Sequence, residues 1–135
     1  MRQREQRLWD AMRKAAPRGA WLQRIENVVG DGMPDVFVCG AGGACCWVEL
    51  KAPVRPARLS TPLLGSAQLR RSQINWLAKA AALRLRAHVL IRDDKRTLYL
   101  VPAACAETLN GMPLDAVAQA SMACDWRNIY RELLR

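Results

Sequence analysis

The sequence predicts an α/β domain, a mixed β-sheet with helices packed on it, and three observations predict it. Short apolar or alternating runs at 35–39, 45–50, 87–92 and 97–101 are bounded by Gly, Pro and Asp, as strands are. Two longer stretches, 3–16 and 66–85, repeat their apolar residues at helical spacing. The chain has 135 residues, 51% hydrophobic and 24% charged, which is one ordinary globular domain. A domain of this size buries roughly two-thirds of its unfolded surface and needs neither disulfides nor a structural metal.

In chain order, residues 3–16 place Leu8, Met12 and Ala15/Ala16 on one helix face, and Pro17-Arg18-Gly19 ends the helix. Trp21 to Val29 alternates as a strand and is stopped by Gly30-Asp31-Gly32-Met33-Pro34. Asp35–Cys39 is a second strand, Gly40–Ala44 a five-residue turn, and Cys45–Leu50 a third strand. Residues 53–65 hold three prolines without periodicity and form a loop. Ser66 to about Leu85 is a helix carrying Leu69, Ile74, Leu77 and Ala81 on one side. Strands follow at 87–92 and 97–101, joined by the turn Asp93-Asp94-Lys95-Arg96. The tail from Ala103 is mostly helical and closes with 126–134. The expected order is α-β-β-β-α-β-β followed by helices.

Charge and motifs narrow the function. Lys+Arg is 21 against Asp+Glu 12, a net charge of +9, and only Lys14, Lys51, Lys79 and Lys95 are lysines. Guanidinium forks grip phosphates at two points, so a polyanionic partner is the first expectation, with a merely soluble basic surface as the plain alternative. The charged opening, 1–7, has no apolar core of a secretory signal, and no apolar run approaches the roughly 18 residues of a membrane span. Five cysteines without a C-x-x-C and the single His88 give neither a disulfide framework nor a zinc site, and His88 reads as a core residue. Walker A, G-x-G-x-x-G and Ser-His-Asp patterns are missing from the sequence.

The hairpin 34–51 carries the chemistry. With its turn centred on Gly42, residues whose numbers sum to 84 face each other, so Asp35 lies opposite Glu49, Phe37 opposite Trp47 and Cys39 opposite Cys45. Two adjacent carboxylates repel unless a proton or cation lies between them. Strand alternation puts Lys51 on the face of Glu49. The cluster suits Mg²⁺, which accepts one or two carboxylates and keeps several waters. The plain reading is a turn aspartate and an exposed Glu49–Lys51 pair, but the apolar neighbours 36–38 and 46–48 argue that these strands are buried.

Pro34-Asp35 followed by Glu49-Leu50-Lys51 resembles the signature of the PD-(D/E)XK nuclease superfamily. The wider segment from Arg24 through Glu26, Asn27 and Gly32 to Asp35 is similar to small phage-type members related to the VRR-NUC group, as is Gln73-Ile74-Asn75-Trp76 to their later helical motif. The resemblance spans about residues 3–101 of a single domain, 1–135, leaving a helical tail at about 103–135. It implies a restriction-endonuclease-like αβββαβ core with a mixed central sheet flanked by helices. It also implies a Mg²⁺-dependent endonuclease, Mn²⁺ substituting, that acts on DNA, including branched DNA such as four-way junctions. By the same resemblance Asp35, Glu49 and the Leu50 backbone carbonyl would be metal ligands, and Lys51 would assist the attacking water. Gln73, or its rival Gln68, would orient the lysine or water. Glu5 would close the metal site or else pair with its basic neighbours on the helix, and Glu26 would support the site. Arg55, Arg58, Arg70 and Arg71 are placed for phosphate contacts. The family further implies a homodimer, located intracellularly in the cytoplasm of a bacterium or phage-infected host. The competing readings are an inactive DNA-binding accessory protein of the same fold, and a basic surface that recruits RNA or acidic partners.

Overall fold

The alternating residues of the hairpin form β2 (Val36–Cys39) and β3 (Cys45–Lys51), in a computed structural model that describes residues 2–25 and 31–135. The register is the expected one, with Phe37 facing Trp47 and Cys39 facing Cys45. β1 (Trp21–Arg24) pairs antiparallel with β2. Ile25 carries the same pairing one step further by donating its N–H to the Asp35 carbonyl at 2.7 Å, and the rest of the strand expected to Val29 lies outside the described residues. Residues 26–30, with Glu26, lie outside the described residues. β4 (Ala87–Arg92) pairs parallel with β3, and β5 (Leu98–Pro102) antiparallel with β4, giving a mixed sheet in the order β1-β2-β3-β4-β5. A parallel pair needs a crossover, and helix α2 (Arg71–Ala82) lies within it.

Strand alternation divides the core into two layers. Val36, Val38, Val48, Leu50, Leu90 and Leu100 face helix α1 (Arg2–Ala15), which contributes Leu8 and Met12. After β5 come the short helices α3 (Ala106–Leu109) and α4 (Leu114–Ala120), then α5 (Trp126–Leu133). α5 joins α1 on that face through Ile129 and Leu133, and the Tyr130 hydroxyl donates to the Met12 carbonyl. Val89, Ile91, Tyr99 and Val101 face the opposite side, where Ile74 and Leu77 of α2 pack with Leu109 and Val117. The order α-β-β-β-α-β-β and the helical tail agree with the sequence expectation.

The helix expected over 66–85 is shorter. A 3₁₀ turn at Gly65–Ala67 is followed by extended backbone at Gln68 and Arg70 before α2 begins at Arg71. Asn110 is the cause: its side chain accepts from the Leu69 N–H at 2.8 Å and donates to the Leu69 carbonyl at 3.0 Å. That pairing satisfies the Leu69 backbone as a neighbouring strand would, which leaves a helix no advantage there.

His88 is buried within β4, in keeping with its reading as a core residue, and its Nδ1 has no partner among the described residues. Burial first, then the Arg86 charge, pushes its pKa down from 6.5 to about 4. The unfolded chain therefore takes up a proton near pH 6.5 that the folded chain refuses until about pH 4. The contribution of His88 to stability is complete above pH 6.5 and falls as pH drops toward 4, by up to about 3 kcal/mol at 1.36 kcal/mol per unit. Denaturant midpoints measured between pH 7 and pH 4 check this, and His88→Val should flatten that part of the profile.

Candidate active site

β3 ends with an acid and an amine turned toward the α2 side of the sheet, Glu49 and Lys51, only 2% and 7% exposed. Burying either charge costs free energy unless partners compensate. The Lys51 amine donates to the Gln68 carbonyl at 3.2 Å and to Gln73 Oε1 at 3.3 Å, and stands 3.8 Å from Glu49 Oε2. Gln73 Nε2 donates to the same Glu49 oxygen at 2.9 Å. One buried amide thus bridges the acid and the amine. Its oxygen also accepts the Arg70 N–H at 2.8 Å, which fixes the first turn of α2. The rival Gln68 has an exposed side chain and gives the site only its backbone carbonyl.

Asp35 stands one residue before β2, next in register to the Val36–Val48 pair, which brings it beside Glu49. Its Oδ2 accepts the Leu50 N–H at 2.9 Å, tying the acid to β3. Burial first, and then Asp35, raise the Glu49 carboxyl well above its ordinary pKa, while Lys51 pulls it down. Glu49 Oε1 is buried with no donor among the described residues. Two neighbouring carboxyls are relieved by a shared proton or a cation. Glu5, in the first turn of α1, is also raised by burial, and its charge is felt by both Lys51 and Asp35. Glu5, Asp35, Arg7 and Arg24 line an open cleft of about 660 Å³ that leads to this group.

These residues fit a hard divalent cation. Among the described residues no group of three or more His, Cys, Asp or Glu side chains is poised as a complete ligand set. Two carboxyls, one with a buried oxygen lacking a donor, match a Mg²⁺ site in which water completes the shell.

The expected phosphate-binding arginines separate into two groups. Arg58, Arg70 and Arg71 are exposed, with Arg70 3.7 Å from Asp31 and Arg71 3.3 Å from Glu107. Arg55 is instead engaged in the fold. Its Nε donates to buried Asp93 at 2.7 Å, its other nitrogen to Thr97, and its backbone N–H to Asp94 at 2.8 Å. It anchors the loop 53–65 to the β4–β5 turn.

One residue that shapes the site, Gly32, stood in the sequence only as part of the motif segment, with no role assigned to it. Gly32 takes φ +86, and a Cβ there would lie 2.3 Å from the Ser72 carbonyl oxygen. The loop carrying Asp35 thus rests against the first turn of α2, next to Gln73. The Gly-x-Pro-Asp spacing was its only signal in the sequence.

No protein-family profile and no curated protein matches the sequence. Among solved structures the chain is similar to Hjc of Archaeoglobus fulgidus, a Holliday junction resolvase, at 19% identity and a TM-score of 0.46, over 75% of this chain and 70% of that one.

Proposed function

We propose that this protein is an endonuclease that hydrolyses DNA phosphodiester bonds with Mg²⁺, or Mn²⁺ in its place. The observation that carries the reading is the apposition of half-buried Asp35 and buried Glu49, with Lys51 and Gln73 locked around Glu49. Asp35 and Glu49 would hold the cation, with the Leu50 carbonyl and Glu5 as further ligands. A cation held there supplies Lewis-acid stabilisation of a phosphoryl oxygen and lowers the pKa of a bound water.

The chain's own groups do the rest. Lys51 keeps a positive charge at the point where the pentacoordinate phosphorus accumulates negative charge. Gln73 holds Lys51 and Glu49 in a fixed relation, so little reorganisation is needed during reaction. Arg58, Arg70 and Arg71 would position the duplex through its phosphates without reading bases.

The narrower assignments rest on the sequence resemblance. It supports a VRR-NUC-like nuclease of a bacterium or phage-infected host, intracellular, with a preference for branched DNA such as four-way junctions. No helix among the described residues is long and apolar enough to cross a membrane. A homodimer is proposed because one chain builds one site and cutting both strands needs two.

The test incubates pure protein with linear, flapped and four-way DNAs in Mg²⁺, Mn²⁺ or EDTA, alongside light scattering at micromolar concentration. Cleavage only with a divalent metal, fastest on the junction, and twice the chain mass are expected. DNA binding without cleavage in either metal would favour the inactive accessory protein.

A further inference from the structure

β3 and β4 run parallel and end together, so Ala52 and Arg92 lie next to each other one step beyond the Lys51–Ile91 pair. The carboxyl ends of parallel strands are where open α/β sheets bind ligands. There Arg4 and Arg7 of α1, Arg92 of β4 and Arg96 of the following turn line a second cleft, of about 240 Å³. The two acids in its lining, Asp93 and Asp94, are both engaged by Arg55. None of the four arginines forms an ion pair among the described residues. Arg4 is fixed by donating from Nε to the Ala52 carbonyl at 3.2 Å, one residue after Lys51. Burial, then the neighbouring Arg96 and Arg7 charges, push the half-buried Arg92 guanidinium down from its ordinary value.

Backbone conformation adds an independent observation. Arg96 has φ 68, in a turn closed by its N–H on the Asp93 carbonyl at 3.0 Å. Glycine or asparagine takes that conformation readily and arginine does not, and such outliers concentrate at functional sites. Among the described residues, the other non-glycine residue with positive φ, Arg84, follows the end of α2 and does not line this cleft.

We propose that Arg4, Arg7, Arg92 and Arg96 form a binding site for the phosphodiester backbone of DNA. The cluster rests on the nuclease reading and extends it. It lies beside the end of β3, and α1 joins it to the cleft at Asp35, since Arg7 lines both. A duplex seated at Asp35 and Glu49 would thus be gripped by the α1 and β4–β5 end of the molecule, and not only by the arginines near α2.

The test measures binding of a labelled four-way junction and a matched duplex in EDTA across a salt series, for wild type, Arg96→Gly, Arg7→Ala and the control Arg127→Ala. Removing one arginine–phosphate interaction should reduce the slope of log affinity against log salt by about 1. Arg96→Gly is expected to weaken binding several-fold at moderate salt while its melting temperature holds or rises, since glycine relieves the turn. Arg7→Ala should behave alike in binding, and Arg127→Ala, exposed on α5, should match wild type. Wild-type slope and affinity in both Arg96→Gly and Arg7→Ala would overturn the site, as would an equal loss in Arg127→Ala. Displacement by inorganic phosphate beyond that by chloride at equal ionic strength would mark a small-anion pocket and overturn the backbone assignment. A wild type that binds neither DNA at low salt would instead overturn the nuclease reading itself.

Discussion

Lys51→Ala is expected to cleave DNA at least about a hundredfold more slowly than wild type while still binding Mg²⁺ and DNA. Both carboxyls remain in place, so the proposed cation site persists. What disappears is a fixed positive charge near the developing negative charge of the reaction, a contribution of roughly 3–4 kcal/mol at a preorganised donor. The side chain is also a structural member. Without it, Gln73 Oε1 and the Gln68 carbonyl lose a donor, and Glu49 loses a cation that opposes the rise in its pKa. Some thermal destabilisation should therefore accompany the rate loss. Single-turnover cleavage at saturating protein separates the two effects, because the folded fraction is read independently from the melting curve. A wild-type rate in Lys51→Ala would return Glu49 and Lys51 to the role of a structural ion pair.

Gly32→Ala is the second large effect, on architecture rather than chemistry. At φ +86 any side chain is strained, by about 1–3 kcal/mol for the backbone conformation alone. The added methyl would also meet the Ser72 carbonyl oxygen at 2.3 Å, which is backbone within the first turn of α2 and has little room to yield. Either the loop carrying Asp35 lifts away or the turn carrying Gln73 shifts. The expected result is a lower melting temperature together with a weakened response to Mg²⁺. Gly42→Ala is the matched control, since a Cβ there meets nothing within 4 Å, and it should stay near wild type. Equal stability and metal response in Gly32→Ala would mean that the close approach does not hold the site together.

How much of this was legible in the sequence follows from whether the information is local. The hairpin register was legible once the turn was taken to centre on Gly42, and the structure has that pairing, which keeps Val36, Val38, Cys46 and Val48 on a common buried face. With the register comes the meeting of Asp35 and Glu49. The start of α2 was not legible, because Asn110, 41 residues away, engages both backbone groups of Leu69. The choice between Gln68 and Gln73 had the same obstacle, since it turns on where the helix begins. Arg55 sat in a loop suited to phosphate contacts, yet its partner Asp93 lies 38 residues on, at the end of the neighbouring strand β4. The arginine cluster of α1 and the β4–β5 turn was hidden for a related reason. Its members meet only because β3 and β4 run parallel and end together.

On the proposed reading, Asp35 and Glu49 are apposed in order to hold a divalent cation. The most direct measurement is the melting temperature of metal-free protein titrated with Mg²⁺, for wild type, Asp35→Ala and Lys51→Ala. A ligand that binds only the folded state stabilises it by RT ln(1 + [L]/Kd), so the wild-type midpoint should climb with Mg²⁺ concentration. That climb should persist in Lys51→Ala, which keeps both carboxyls, and vanish in Asp35→Ala, which does not. A wild-type midpoint indifferent to Mg²⁺, or a climb of the same size in Asp35→Ala, would contradict the account.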